Sequence, residues 1–250
     1  MCIIHINYIG DIMKILINNI LINYEVSGFG RPLIFLHGWG SNLHTFDNMA
    51  EQLNEDYTIY QIDLPGFGDS EIKSAMSIEN YADVISEFCR SLAIINPIVI
   101  GHSFGGRVAI KYASIDKIDK LILMCSPGIK MRFNLIKWLK VRIYKLTKKM
   151  NINLKMGSND YKNASPILRE VLVKALNTDL SDEAKKISCP TLLLYSKKDR
   201  TVPIYIGRRF KELIVNSSLF EIKRSGHFPY IDRFRFVLIL LKAFMHGEKI

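Results

Sequence analysis

Three short stretches of this chain, residues 33–36, 121–124 and 192–195, are apolar without a single polar interruption. A strand with one wet face alternates polar and apolar residues, so unbroken runs of this length imply strands buried on both faces, as in a mostly parallel sheet covered by helices. Residues 14–18, 21–26, 33–37, 57–63, 98–102, 120–125, 191–196 and 219–223 read as eight strands, the first two forming an antiparallel hairpin around Asn18 and Asn19. Between them, apolar residues recur at helical spacing: Ile78, Tyr81, Ala82, Ile85, Phe88 and Leu92; then Val108, Ala109 and Tyr112; and finally Phe234, Val237, Leu238, Leu241 and Phe244. The fold class expected is α/β, an eight-stranded, mostly parallel, doubly wound sheet.

Residues 127–187 break the alternation. They hold no convincing strand, and two helical patterns appear instead: Leu139, Ile143, Leu146 and Met150, then Ile167, Val171 and Ala175 after Pro166. Some sixty residues exceed what a plain loop between core strands spans. The segment is therefore expected to be a helical cap inserted into a core formed by residues 13–126 and 188–250. Residues 1–12 are expected to be an extension, disordered or from an upstream start, because Met13 opens the first strand-like run. They lack the basic, apolar and small-residue regions of a signal peptide. The longest apolar run near either end, 236–241, falls short of the ~20 residues of a spanning helix. Four scattered cysteines give neither a disulfide framework nor metal-ligand spacing, so no metal is expected and the cytoplasm is the default location.

The chemistry concentrates in Gly101-His102-Ser103-Phe104-Gly105-Gly106, placed where an apolar strand passes into a helical pattern. A serine on so sharp a strand-to-helix turn projects its hydroxyl clear of the backbone, and the crowding demands glycine two positions to either side. Serine at its normal pKa needs a base, and the base needs an orienting carboxylate. Of six histidines, His227 follows the last strand in Ser225-Gly226-His227-Phe228-Pro229. Asp199 follows the preceding strand. The order Ser103, Asp199, His227 is the chain order of a nucleophile-elbow triad. Asp232 is a weaker reserve acid. Phe104 N–H and Trp39 N–H, the latter in His37-Gly38-Trp39-Gly40, are the candidate oxyanion donors. Trp39, Phe104, Trp138 and Phe228 are candidate substrate-contacting residues. His37 and His102 are expected to orient loops, and Asp63 and Asp69 to brace the turn Asp63-Leu64-Pro65-Gly66-Phe67-Gly68-Asp69-Ser70.

Taken together, these motifs resemble the α/β-hydrolase superfamily from about Lys14 to the last helix, as a serine esterase- or lipase-like member with a helical cap. The resemblance implies a Ser-His-Asp triad and no cofactor. Relatives with an aspartate nucleophile are disfavoured by Ser103. The function expected is hydrolysis of a small or medium acyl ester, or a thioester, through an acyl-enzyme on Ser103. Two alternatives stand beside it. One is a non-hydrolytic lyase resembling menaquinone-pathway enzymes, whose elbows can carry an arginine where Arg107 stands; the other is a ligand-binding protein on a hydrolase scaffold.

The 34 Lys and Arg against 24 Asp and Glu give a formal charge of +10. This excess is local. Residues 127–187 carry 14 bases and 5 acids, with nine bases and no acid between Lys130 and Lys155. A basic stretch interleaved with aromatics suits an anionic membrane surface or an acidic substrate, or else a cap helix with solvated lysines. No recognition module accompanies the charge, so nucleic acid is not expected as a partner.

Overall fold

The structure is a computed structural model and describes residues 11–129 and 159–248. Eight strands form one sheet: β1 (Asp11–Ile17), β2 (Ile20–Ser27), β3 (Arg31–Leu36), β4 (Tyr57–Ile62), β5 (Ile98–His102), β6 (Lys120–Met124), β7 (Thr191–Ser196) and β8 (Ser217–Ile222). Their order is β1-β2-β4-β3-β5-β6-β7-β8. β1 and β2 are antiparallel to each other, β2 is antiparallel to β4, and β3 to β8 run parallel. Asn18 and Asn19 both take positive φ, 47° and 64°. That is the requirement of a two-residue hairpin turn whose twist matches its strands.

Strand alternation feeds two cores. In β3, Leu33 and Phe35 face one layer while Ile34 and Leu36 face the other, and in β7 Leu192 and Leu194 oppose Leu193 and Tyr195 in the same way. One layer is closed by α1 (Asp47–Glu51) and by α9 (Phe234–His246), which follows the short α8 (Pro229–Asp232) and contributes Val237, Leu241 and Met245. The other is closed by α2 (Ile78–Ser91) and α3 (Phe104–Ile115), with α7 (Ile204–Leu213) adding Ile206 and Phe210. The start of α2 is set by Ser77, whose hydroxyl accepts the Asn80 N–H while the Asn80 side chain accepts the Ser77 N–H. Such a reciprocal cap satisfies two donors that a helix start leaves free.

Between β6 and β7 the described residues form α4 (Asn159–Asn163), α5 (Pro166–Asn177) and α6 (Ser181–Lys186). α5 follows the expected spacing, with Val171 and Ala175 buried, and begins at Pro166 under a Ser165 cap. This stretch is tied to the sheet layer by Leu180 N–H to the Gly128 carbonyl at 2.7 Å and by Lys111 to Glu183 at 3.1 Å. The basic run from Lys130 to Lys155, the helical pattern from Leu139 to Met150, and Trp138 lie outside the described residues, as do residues 1–10.

Several assignments depart from expectation. β1 starts at Asp11, so Asp11 and Ile12, assigned above to an extension, pair with Val26 and Glu25. β8 starts at Ser217, two residues early, because Thr191 and Leu192 of β7 pair with Ser217 and Ser218. α7, which the periodicity reading omitted, fills the β7–β8 crossover. Among the described residues, no helix is long and apolar enough to cross a membrane.

Candidate active site

Ser103 sits between β5 and α3 with φ 49° and ψ −114°, a conformation few residues other than glycine adopt. Its surroundings explain the cost. A Cβ on Gly101 would lie 2.7 Å from Gly106 Cα, and one on Gly105 would overlap the Leu36 carbonyl. The strained turn is held by Ser103 N–H to the Met124 carbonyl at 3.1 Å and by Gly105 N–H to the His37 carbonyl at 3.0 Å. The Ser103 turn is thus stitched to the ends of both neighbouring strands.

The three triad candidates meet. His227 Nε2 lies 2.9 Å from Ser103 Oγ, and His227 Nδ1 lies 2.7 Å from Asp199 Oδ2. A carboxylate only accepts, so Nδ1 carries the proton and Nε2 is free to accept the Ser103 hydroxyl. Asp199 is buried, at 6% exposure, and its Oδ1 accepts the Thr201 and Val202 N–H groups at 2.7 and 2.9 Å. Burial alone would push this carboxyl up. The hydrogen bonds from His227, Val202 and Thr201 outweigh it and hold the carboxyl below its usual range.

The Trp39 and Phe104 rings meet edge to face, with centroids 5.4 Å apart. Phe104 N–H opens α3, so it has no carbonyl four residues back to bond. Trp39 follows Gly38 in a turn closed by Ser41 N–H on the Gly38 carbonyl, and a Cβ on Gly38 would lie 3.4 Å from Ser103 Cβ. Gly38 thus lies beside the Ser103 side chain, and the Phe104 N–H is the next amide along the chain. The Phe228 ring stands 5.3 Å from that of His227 and is half exposed.

The supporting residues fall as expected in part. Asp63 braces its turn, accepting from Leu43 N–H at 2.7 Å, Asn23 Nδ2 at 2.8 Å and Asp69 N–H at 2.9 Å. His37 donates from Nδ1 to the Gly38 carbonyl and accepts the Leu64 N–H on Nε2, which fixes it as a neutral loop brace. Asp232, the reserve acid, meets the Gly226 N–H at 2.7 Å and the Ser225 hydroxyl at 3.2 Å instead of the His227 ring. Arg107 is buried and donates to the Thr178 carbonyl at 3.2 Å, a contact that ties α3 to the end of α5.

Sequence reasoning missed a buried line of small polar groups beside Asp199 and His227. Cys125 Sγ lies 3.6 Å from Ser196 Oγ, which lies 3.0 Å from Ser225 Oγ, and Ser225 leads on to Asp232. Only the positions of Cys125 and Ser196 at strand ends hinted at it. Cys125 Sγ, the Asp199 carboxylate and a His227 ring nitrogen come within 4.8 Å of one another, and Glu25, His44 and Asp47 form a second such group on the surface. The first group is already engaged in hydrogen bonds, and burial pushes the Cys125 thiol up to about 12, so it stays protonated at neutral pH.

Comparison with known proteins agrees with the fold. The alpha/beta hydrolase fold family matches residues 31–151. A pimeloyl-acyl-carrier protein methyl ester esterase of Vibrio cholerae is 28% identical over 240 residues, which cover 83% of this chain and 91% of the relative. A bromoperoxidase from Bacillus anthracis superposes with TM-score 0.79 at 22% identity, over 95% of this chain and 100% of that one. An esterase from Exiguobacterium antarcticum gives 0.77 at 24% identity, over 94% and 99%. These two structures speak to the fold alone. Topology and the match over residues 31–151 give the chain the α/β-hydrolase fold, and the relatives it resembles are esterase- and hydrolase-like proteins.

Proposed function

We propose that the protein hydrolyses a small or medium acyl ester, or a related thioester, through an acyl-enzyme on Ser103. The observation that carries this reading is the pair of contacts at His227, 2.9 Å to Ser103 Oγ and 2.7 Å to Asp199 Oδ2. Ser103 Oγ attacks the carbonyl carbon as His227 Nε2 takes its proton, and the carbonyl π electrons move to oxygen. The Trp39 and Phe104 N–H groups receive that oxyanion. Collapse expels the alcohol, which takes the proton back from His227. Water, deprotonated by the same nitrogen, then releases the acid and restores Ser103. Asp199 keeps the proton on Nδ1 throughout and stabilises the imidazolium.

The acyl donor is proposed to be anionic. Residues 127–187 carry nearly the whole excess positive charge of the chain, and the relatives matched at 24–28% identity include esterases named for an acyl group on a carrier protein. Arg107, the residue that raised the lyase alternative, is buried and donates one N–H to the Thr178 carbonyl.

The test is covalent. Wild-type protein treated with a fluorophosphonate is expected to gain one phosphonyl mass on the peptide containing Ser103. Ser103→Ala is expected to lose both the label and turnover of p-nitrophenyl butyrate. A Ser103→Ala variant as active as wild type would refute the assignment, and a chain-length panel of esters and thioesters on the wild type defines the acyl group.

A further inference from the structure

The Asp199 contact fixes the His227 ring, but a ring held at one nitrogen still follows its backbone. The backbone of His227 is held by another residue. His102 ends β5, immediately before Ser103, and is 1% exposed. Its Nε2 lies 2.8 Å from the His227 carbonyl oxygen. That oxygen only accepts, so His102 carries its proton on Nε2 and presents Nδ1 as an acceptor, which the Tyr230 hydroxyl approaches at 3.4 Å. The ring is packed on three sides, with centroids 4.9 Å from His227, 5.1 Å from Phe228 and 5.0 Å from Tyr230. Gly38 makes room for it, since a Cβ there would lie 2.9 Å from His102 Nδ1.

We propose that His102 is a positioning residue that fastens the backbone of the base, His227, to the residue next to the nucleophile, Ser103. The inference rests on the triad reading above. Because His102 and Ser103 share a peptide bond, the hydrogen bond to the His227 carbonyl closes a short ring of contacts through the elbow, the Ser103 hydroxyl and the imidazole. Nucleophile and base then move together. Burial, reinforced by the neighbouring His227, pushes His102 down to about 3, so the ring stays neutral and donates this bond without competing as a proton acceptor for Ser103. Misplacing a reacting group by about 1 Å can cost about 100-fold in rate, which sets the scale of the effect.

Three variants separate the hydrogen bond from packing. Gln reaches as far as histidine Nε2 and can donate to the same carbonyl; Asn is too short; Phe fills the space and has no donor. His102→Asn and His102→Phe are expected to lose about 10- to 100-fold in kcat and in fluorophosphonate labelling rate with KM nearly unchanged, while His102→Gln stays within about 3-fold of wild type. Equal losses in all three, a change confined to KM, or no loss would overturn the proposal. Ser103→Ala is measured alongside. If it retains turnover, the triad reading fails; if it is inactive while the His102 series is flat, only the positioning role fails. Independently of any variant's folding, nitrogen-15 spectra of the wild-type protein are expected to show neutral His102 as the Nε2–H tautomer. An Nδ1–H tautomer or a charged ring at neutral pH would also overturn it.

Discussion

Asp232 Oδ2 stands 2.7 Å from the Gly226 amide nitrogen, and this contact, one residue short of His227, separates the two acids available to the base. Asp199 holds the ring and Asp232 holds the turn that carries it. The consequences of removing each differ in kind. Asp199→Asn is expected to lower kcat by about 1,000- to 10,000-fold, the scale for loss of the orienting acid and the tautomer it selects. Asp232→Ala leaves that tautomer intact and frees the Gly226 N–H, so a loss of about 10-fold or less is expected, with a lower melting temperature. Steady-state kinetics on the two variants checks the assignment, and a larger loss at Asp232 would reverse it.

The depressed Asp199 carboxyl gives stability a defined pH dependence. A carboxyl whose folded pKa lies below its unfolded value, about 3.9, contributes stability that is fully present above that value and disappears as pH falls through the folded pKa. The difference in melting temperature between wild type and Asp199→Asn is therefore expected to be constant from about pH 5 to 8 and to shrink below about pH 4. Thermal denaturation of both proteins across that range measures it. A difference that grew as pH fell from about 5 to 3 would mean that the carboxyl is raised in the folded protein.

Glycines of the site divide by what surrounds them. A Cβ at Gly105 would run into the Leu36 carbonyl, which belongs to a central strand and cannot give way. Gly105→Ala is expected to cost about 3 kcal/mol or more and to abolish labelling of Ser103. Gly40 has φ 69° with nothing within 4 Å of a Cβ, so Gly40→Ala carries only the left-handed backbone penalty, about 1–2 kcal/mol. Denaturant midpoints compare them, and equal losses at both sites would contradict the packing account.

The central strands were legible because two buried faces leave no polar interruptions: every residue of β5 and β7 is buried. The sheet edges were not, since β8 is only partly buried along four consecutive residues and β1 exposes Ile12 and Leu16. α7 escaped notice because Arg208, Arg209 and Lys211 stand among its apolar positions and Pro203 precedes it. The elbow could be read because its crowding restricts residue type at Gly101 and Gly105. Asp232 and Ser196 could not, because their roles depend on where the Ser225–His227 turn returns in space, and neither contact restricts residue type at a fixed spacing.

The charge of residues 127–187 makes its own prediction about substrate. A field of one sign around an entrance raises the encounter rate of oppositely charged ligands by about 10-fold or more at low salt, and leaves neutral ones untouched. Lys137, Lys140 and Lys145 lie in the most basic stretch. Replacing all three by Gln is expected to lower kcat/KM for an ester bearing a distal carboxylate or phosphate by about 10-fold, against less than about 2-fold for its neutral counterpart of equal length. The wild-type preference for the anionic ester is expected to fade as ionic strength rises past about 0.15 M, where the screening length falls to about 8 Å. Equal effects on both esters, or none, would show that these lysines are only a solvated face, and would remove charge from the choice of acyl donor.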